Sequence, residues 1–336
     1  MNGLCSSGTN GTGCVCNEGF TGLYCETKRD YSMIISLSVI IPSVVLISLG
    51  IFLYLFCGRK PVIDISILPE EIRWYFDTER ILTESGWVED KGFIYKNVME
   101  DKKYLKRLTS LMTLLDGGTL EWQCAYVIFN QNLQNNFLGY RNVTLSRHND
   151  SPYLFKKNYP QKEQRDWVME QYKNLVGRYE WNVNLELPIL PVIHGTSEKV
   201  AKSICSTGFA SLSSLDAGFY GKGIYTTSSC LYALPYYATK TKPTILICLV
   251  TPGNVYPVIE NATESSGLMG KVIQNGFQSH FVITAKSGKI AIDRDQKFYD
   301  EFVMPTESQL VPIYMISMEK SYLDELISEF KREIPH

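Results

Sequence analysis

The segment from Tyr31 to Gly58 contains roughly 28 residues without a formal charge, long enough to cross a lipid bilayer. A soluble core helix of this length would show a polar face, whereas the polar interruptions here are serines, whose hydroxyls can bond back to helix carbonyls. Pro42 would kink the helix, which membranes tolerate more often than water does. A signal peptide would start near Met1 behind a basic stretch. The sequence therefore predicts a transmembrane helix over residues 31–58.

Cysteine usage predicts the orientation of this helix, because basic residues flank both of its ends equally. Four of the nine cysteines crowd the first 25 residues, a density typical of a small disulfide scaffold in an oxidising compartment: Cys5, Cys14, Cys16 and Cys25. The others are scattered and are expected to be reduced and mostly buried: Cys57, Cys124, Cys205, Cys230 and Cys248. We therefore expect residues 1–30 on the extracellular or lumenal side, with an accessible glycosylation sequon at Asn10, and the remainder in the cytosol.

The segment CVCNEGFTGLYCE, residues 14–26, resembles the carboxyl half of an epidermal growth factor-like module. Such a module normally carries six cysteines, whereas this chain supplies four, so the module is partial. The resemblance implies that Cys16 pairs with Cys25 and Cys5 with Cys14, and that this ectodomain has an extracellular ligand. The alternative is a cysteine-rich stalk without a binding partner. The missing cysteines indicate that Met1 is not the start of the biological polypeptide, or that this is the last of several repeats.

Beyond Arg59 the chain has the composition of an ordinary soluble protein, with no repeat. The formal net charge of -2 argues against nucleic acid as the main partner. Helices at Pro69–Glu71 and Asp101–Leu115 predict a helical juxtamembrane region over residues 59–119. A strand over 120–129, a short helix bearing Phe137 and Leu138, and a helix near 168–176 then begin a mixed α+β body. We expect that body to extend over residues 120–319 and a C-terminal helix to occupy 320–336.

Three short segments carry the residues of chemical interest. LPVIHGT, residues 190–196, is an apolar strand that delivers a His-Gly pair into a turn. GFYGKGIYTT, residues 218–227, places three glycines at a strand start, where they let a ligand approach the backbone closely. DEFVMPTESQLVPIYMI, residues 300–316, sets an acidic pair at the head of a strand. Each alone is a weak signal, since a single histidine is usually a core residue and a single carboxylate is usually solvated.

In this order the three segments resemble the catalytic domain of the poly(ADP-ribose) polymerase family, ADP-ribosyltransferases that use NAD and carry a His-Tyr-Glu triad. The resemblance covers roughly residues 120–319. It implies an α+β ADP-ribosyltransferase fold, with a mixed, mainly antiparallel split sheet and flanking helices, and NAD as the substrate without a metal. The triad residues matched are His194, Tyr225 and Glu301.

The resemblance also implies what each triad residue does. Glu301 would hold a hydroxyl of the nicotinamide ribose and stabilise the positive charge that develops as the glycosidic bond breaks. His194 would hold the adenosine ribose, which is a positioning role. Tyr225 and Tyr236 would stack on opposite faces of the nicotinamide ring. Tyr237 is adjacent and could be mistaken for the second stacking tyrosine.

Two further NAD-binding residues follow His194 on the first segment. The backbone N–H and C=O of Gly195 would pair with the nicotinamide carboxamide, and Thr196 completes the motif. The chain departs from the family at Ala233, where an ungapped match expects a serine hydroxyl for the carboxamide. A gap could place Ser228 or Ser229 there instead. Without that hydrogen bond, binding would weaken by about 0.5 to 1.5 kcal/mol.

Three functions are consistent with these features. The first is a membrane-anchored transferase that moves ADP-ribose from NAD to a cytosolic protein, and the triad favours it. The second is a receptor-like protein whose inactive domain binds NAD or ADP-ribose. The third is an adhesion protein, which leaves Glu301 and the glycine strand unexplained. An Arg-Ser-Glu transferase would need a Glu-x-Glu pair, and a dehydrogenase a Gly-x-Gly-x-x-Gly turn that opens a helix; both are rejected. The acceptor and the choice between mono- and poly-ADP-ribosylation stay open.

Overall fold

The computed structural model describes residues 3–8, 11–18, 20–21, 23–28, 64–183, 185–209, 218–260, 267–285 and 298–332. The chain divides into two compact units, Met1–Val62 and Ile63–His336. The predicted transmembrane segment, residues 31–58, and the sequon at Asn10 lie outside the described residues. None of the helices within the described ranges is long and apolar enough to span a membrane.

The first unit contains two small antiparallel strand pairs. Strand β1, Gly3–Gly8, pairs with β2, Gly11–Cys16, and Cys5 lies directly opposite Cys14 in this register. Strand β3, Phe20–Thr21, pairs with β4, Thr27–Lys28. A disulfide joins Cys16 to Cys25, as the growth-factor-like pattern implies. The likeness of the whole segment to that module stays a prediction.

The second unit is built from eight helices and ten strands within the described ranges. The helices are α1 Glu70–Phe76, α2 Thr78–Thr83, α3 Lys102–Leu114, α4 Gln131–Asp150, α5 Lys162–Gly177, α6 Glu198–Thr207, α7 Cys230–Tyr237 and α8 Lys320–Arg332. The strands are β5 Val88–Asp90, β6 Phe93–Asn97, β7 Trp122–Phe129, β8 Leu190–Ser197, β9 Ile224–Thr226, β10 Pro243–Val250, β11 Val255–Val258, β12 Ser279–Ala285, β13 Phe298–Met304 and β14 Leu310–Met318.

The strands form two sheets. Six antiparallel strands follow the order β5-β6-β7-β14-β10-β8, and four follow the order β11-β12-β13-β9, in which β11 and β12 run parallel. An isolated bridge between Ile193 on β8 and Thr227, just after β9, links the two sheets. This arrangement agrees with the predicted α+β class and its mainly antiparallel split sheet.

The six-stranded sheet is covered on both faces, which explains why its central strands are continuously apolar. All eight residues of β10 are buried. Successive residues contribute to opposite cores: Ile245 and Ile247 pack with the cluster that includes α3 and α7, whereas Leu246 and Cys248 pack with α5 and α6. A strand buried on both faces has no polar side to alternate with.

Two local predictions from sequence are wrong. The region 59–119 is not purely helical, because β5 and β6 form a hairpin that extends the six-stranded sheet. Its turn residues, Lys91 and Gly92, have φ angles of 46° and 90°, as two-residue hairpin turns require. The strands are short and partly exposed, so no alternation reveals them. Helix α4 is 20 residues long, whereas the sequence predicted a short helix. The length was underestimated because most of its residues are polar and the apolar stripe that includes Phe137 and Leu138 is hard to recognise.

The cysteines of the second unit agree with the sequence expectation. Cys205, Cys230 and Cys248 are buried and free, and Cys124 is free and partly exposed. Burial raises the pKa of the Cys205 thiol to about 12, so it stays protonated and inert at neutral pH. Cys57 lies outside the described residues.

Candidate active site

A cleft of about 460 Å³ opens where the two sheets meet. Its walls come from the end of β8, the glycine turn before β9, helix α7, the segment that follows β11 and strand β13. The lining residues are Ile193, His194, Gly195, Gly218, Phe219, Tyr220, Tyr225, Thr226, Thr227, Tyr232, Ala233, Tyr236, Glu260 and Glu301. The three segments singled out in the sequence therefore meet around one cavity.

Strand β8 presents an open edge to this cleft. Ile193 exchanges backbone hydrogen bonds with Thr227, at 2.7 and 3.1 Å. Because backbone groups alternate in direction along a strand, the N–H and C=O of Gly195 point toward the same edge. A continued ladder would place Gly195 opposite Tyr225, but within the described residues these two are not paired. The strands separate here, so the backbone of Gly195 faces the cleft.

Residue 195 has room for no side chain. A Cβ at this position would lie 2.9 Å from Cδ1 of Tyr237 and 3.3 Å from the carbonyl oxygen of Ala233. Helix α7 therefore packs directly against the backbone of β8. Any larger residue would push α7 away from the strand edge that forms one wall of the cleft.

The imidazole of His194 lies between the separating strands. Its Nδ1 lies 3.1 Å from the carbonyl oxygen of Tyr225, which can only accept, so Nδ1 carries the proton. Phe209 packs edge-on against the ring, with centroids 5.0 Å apart. Burial lowers the pKa of His194 below its usual value, so the ring is neutral at pH 7. A neutral, fixed imidazole suits hydrogen bonding and positioning.

The hydroxyl of Tyr225 holds the glycine turn in place. It donates to the carbonyl oxygen of Gly221 at 2.7 Å and accepts from the backbone N–H of Tyr220 at 2.8 Å. Gly218 opens this turn with φ of 57°, and a Cβ there would lie 2.2 Å from the Gly221 carbonyl oxygen. Since its hydroxyl is engaged in the turn, Tyr225 contributes its ring to the cleft.

Helix α7 carries two more cleft tyrosines. Tyr236 lines the cleft and is 57% exposed. Tyr237, the adjacent residue that could be mistaken for Tyr236, is fully buried in the core, where its hydroxyl donates to the Cys230 carbonyl oxygen at 3.4 Å. Tyr232 was not predicted as a site residue, yet it lines the cleft and stacks on Tyr299, with ring centroids 5.4 Å apart. Its spacing from Tyr236 along one helix is the sequence signal that could have identified it.

Glu301 projects from β13 into the cleft and is 8% exposed. Its Oε1 accepts a hydrogen bond from the Tyr232 hydroxyl at 2.7 Å. The pKa of Glu301 is raised to about 7, mainly by burial. The hydrogen bond from the Tyr232 hydroxyl lowers this pKa, whereas the nearby carboxylates of Glu260 and Asp300 raise it further. The carboxyl group is thus poised to change charge near neutral pH, as groups at functional sites often are.

Asp300 faces the opposite side of β13 and has a different function. It accepts hydrogen bonds from the backbone N–H of Ser228 at 2.7 Å and from the Ser228 hydroxyl. Burial raises the pKa of Asp300, which these hydrogen bonds counteract. Asp300 thereby fixes the connection from β9 to α7 against the strand that carries Glu301.

Ala233 lines the cleft beside Gly195, where the ungapped sequence match placed it. The two alternative serines have other partners: the Ser228 hydroxyl binds Asp300, and the Ser229 hydroxyl accepts from the Tyr232 backbone N–H at 3.3 Å as the cap of α7. Neither is among the residues that line the cleft in the described part of the chain.

Ala233→Ser should tighten the binding of nicotinamide several-fold, since it adds a hydroxyl beside the Gly195 edge, and one net hydrogen bond contributes about 0.5 to 1.5 kcal/mol. Calorimetric titration with nicotinamide measures the change. Ala238→Ser, at the end of the same helix and outside the cleft lining, is the matched control and should leave affinity unchanged. Unaltered binding to Ala233→Ser would show that this position does not contact the ligand.

Two other sequence predictions concern Thr196 and metals. Thr196 is 7% exposed and pairs with Thr244 in the sheet, and it is not among the cleft-lining residues of the described ranges. Among the residues that the structure describes, no group of three or more His, Cys, Asp and Glu side chains could hold a metal ion.

Comparison with known proteins agrees with this geometry. Residues 168–320 match the family model described as Poly(ADP-ribose) polymerase catalytic domain. No curated protein matches the chain. The match starts within α5, later than the residue 120 suggested by the sequence, and it contains His194, Tyr225 and Glu301. The part of the chain that builds the cleft is therefore similar to the catalytic domain of the NAD-dependent poly(ADP-ribose) polymerases.

Proposed function

We propose that this protein is a membrane-anchored, NAD-dependent protein ADP-ribosyltransferase. It transfers ADP-ribose from NAD to a cytosolic acceptor protein and releases nicotinamide. The observation that carries the proposal is the buried carboxyl group of Glu301, which faces the same cavity as the open backbone edge at Gly195 and the rings of Tyr225 and Tyr236.

These residues suit the cleavage of NAD. The nicotinamide ring is cationic, and Tyr225 and Tyr236 offer ring faces to it. When the bond between the ring nitrogen and the ribose breaks, its electron pair stays on nicotinamide and positive charge builds on the ribose. The Glu301 carboxylate stabilises that charge. The acceptor nucleophile then bonds to the ribose carbon and releases its proton to solvent.

The apolar segment 31–58 supports the membrane anchor, and the Cys16–Cys25 disulfide supports an oxidising environment for the first unit. We place the N-terminus outside the cell or in a lumen, and the transferase domain in the cytosol, where NAD and acceptor proteins are available. The partial growth-factor-like segment would then face an extracellular ligand.

This topology predicts glycosylation at Asn10 and none at Asn142 or Asn261, because only the lumenal side carries the glycosylation machinery. Peptide mapping of the membrane-expressed protein, with and without glycosidase treatment, tests it. Glycan on Asn261 would show that the orientation is the reverse of the one proposed, and it would rule out a cytosolic transferase.

The enzyme proposal is tested by incubating the purified full chain with NAD that is labelled in its adenylate part. Gel analysis then separates three results: no product, a sharp labelled band, or a ladder. A sharp band indicates a single ADP-ribose per site, and a ladder indicates chain growth. Absence of both label transfer and nicotinamide release, despite NAD binding, would overturn the transferase proposal.

That last outcome corresponds to the second candidate, an inactive protein that binds NAD or ADP-ribose. The protonation of Glu301 favours it, since a pKa of about 7 leaves part of the population without the needed charge at neutral pH. The two candidates are separated by measuring nicotinamide release at pH 7 and pH 8. An enzyme whose Glu301 must be ionised releases more nicotinamide at pH 8, whereas a binding protein releases none at either pH.

A further inference from the structure

The cleft contains a second acidic side chain that the sequence did not suggest. Glu260 follows β11, is 5% exposed and lines the same cavity as Glu301. Its Oε1 accepts hydrogen bonds from the Tyr220 hydroxyl at 2.6 Å and from the Thr284 hydroxyl at 2.8 Å. Tyr220 lies in the glycine turn that lines the cleft and Thr284 lies on β12, so Glu260 is held from two elements in a defined position.

Sheet register places the two glutamates on one face. Val258 pairs with Val282, and Val282 pairs with Glu301, so all three side chains point to the same side. Glu260 follows the end of β11, and its hydrogen bond from Thr284, which lies two residues from Val282 on β12, brings it to that same side. The charge of Glu260 also contributes to the raised pKa of Glu301, which means that the two carboxyl groups interact.

The charged side chains that line the cleft in the described ranges are these two acids. Four tyrosines also line the cleft: Tyr220, Tyr225, Tyr232 and Tyr236. Aromatic faces and carboxylates both attract cations, and their effects have the same sign. Such a cavity favours a flat cationic ring over a neutral ring of the same shape.

We infer that Glu260 is a specificity-determining carboxylate that works with Glu301 to make this cleft prefer the cationic nicotinamide of NAD over the neutral dihydronicotinamide of NADH. The inference rests on the proposed function, since it concerns the nicotinamide end of the same substrate. NAD and NADH differ by one hydride on the ring and share the rest of the molecule. Their affinity ratio therefore isolates the charge of the ring.

The experiment is calorimetric titration of the full chain with NAD and with NADH, for the unaltered protein, Glu260→Gln and Glu301→Gln. The unaltered protein should bind NAD at least ~10-fold tighter than NADH, because two carboxylates act on the cation. Glu260→Gln should reduce that ratio several-fold through weaker NAD binding, with NADH binding little changed. Glu301→Gln should retain part of the preference, which is the share supplied by Glu260.

Tyr220→Phe is the matched control, because it removes a hydrogen bond to Glu260 but leaves its charge. It should change the binding of both ligands by similar factors and preserve their ratio. An equal loss of NAD and NADH binding in Glu260→Gln would mean that Glu260 only supports the structure, and it would overturn the inference. A ratio that Glu260→Gln leaves unchanged would do the same.

Two results need no Glu260 variant, which matters if Glu260→Gln fails to fold. Equal affinity of the unaltered protein for NAD and NADH would contradict the inference. Complete loss of the preference in Glu301→Gln would also contradict the inference, because Glu260 is still present in that variant and would then supply none of the preference. If the unaltered protein binds neither ligand, the proposed function itself fails; binding of NAD without preference overturns the role of Glu260 alone.

Discussion

Glu301→Gln should slow ADP-ribose transfer by about 100-fold or more, the usual cost of removing one preorganised group that stabilises transition-state charge. The substitution keeps the size of the side chain and its ability to accept the Tyr232 hydrogen bond. NAD affinity should change much less, because the ring walls and the Gly195 edge hold the ground state. The paired measurement is the rate of label transfer from NAD and calorimetric NAD binding.

His194→Ala provides the contrasting variant. Because His194 is neutral and fixed between the separating strands, its loss should raise the NAD concentration needed as well as lower the rate. A Glu301→Gln protein that transfers ADP-ribose as fast as the unaltered chain would contradict the assigned charge role. If the unaltered protein and Glu301→Gln both bind NAD and neither transfers ADP-ribose, the binding-protein alternative is supported.

The transfer rate should also rise steeply with pH. The pKa of Glu301 is raised from 4.5 to about 7, and the ionised form is the one that stabilises positive charge. In the free protein, about 1% of the Glu301 carboxyl groups would be ionised at pH 5 and about 50% at pH 7. We therefore expect kcat/KM to be about 50-fold lower at pH 5 than at pH 7. The lowered pKa of His194 keeps its ring neutral near pH 7.

Two variants locate the titration. Tyr232→Phe removes the hydroxyl that lowers the pKa of Glu301, so its profile should shift to higher pH. Glu260→Gln removes a neighbouring charge that raises it, so its profile should shift to lower pH. A profile that is flat from pH 5 to 8 in the unaltered protein would contradict the ionisation of Glu301 as the controlling step.

The same pKa shift has the opposite effect on stability. A carboxyl whose folded pKa exceeds its unfolded pKa binds its proton more tightly in the folded state. Its stabilising contribution is fully present below pH 4.5 and is lost as pH rises through about 7. The pH range in which Glu301 becomes active is therefore the range in which its burial costs stability.

The sequence predicted those parts of the cleft whose constraints are local. His194 and Gly195 end an apolar strand, and Tyr225 follows a glycine turn, so short segments carry both the shape and the chemistry. The ungapped spacing from Tyr225 placed Ala233 and Tyr236 at the cleft because both lie on one regular helix.

Residues brought in by long-range pairing were not found. Glu260 follows a strand of ordinary apolar sequence, and only the parallel pairing of β11 with β12 turns it toward Glu301. The hairpin of β5 and β6 was missed because its strands are short and partly exposed, and only the pairing of β6 with the distant strand β7 joins it to the sheet. Local propensity carries no information on such pairings.

The separation of β8 and β9 after the Ile193–Thr227 bridge leaves the backbone edge of Gly195 facing the cleft. A primary carboxamide presents a donor N–H and an acceptor C=O on one side of the same group, so it can accept from the Gly195 N–H and donate to the Gly195 carbonyl oxygen. A carboxylate in the same position would set a second acceptor against the Gly195 carbonyl oxygen. The protein would thus distinguish an amide from an acid by the rule that governs strand pairing, and substitutions of the surrounding side chains would alter affinity without reversing that preference.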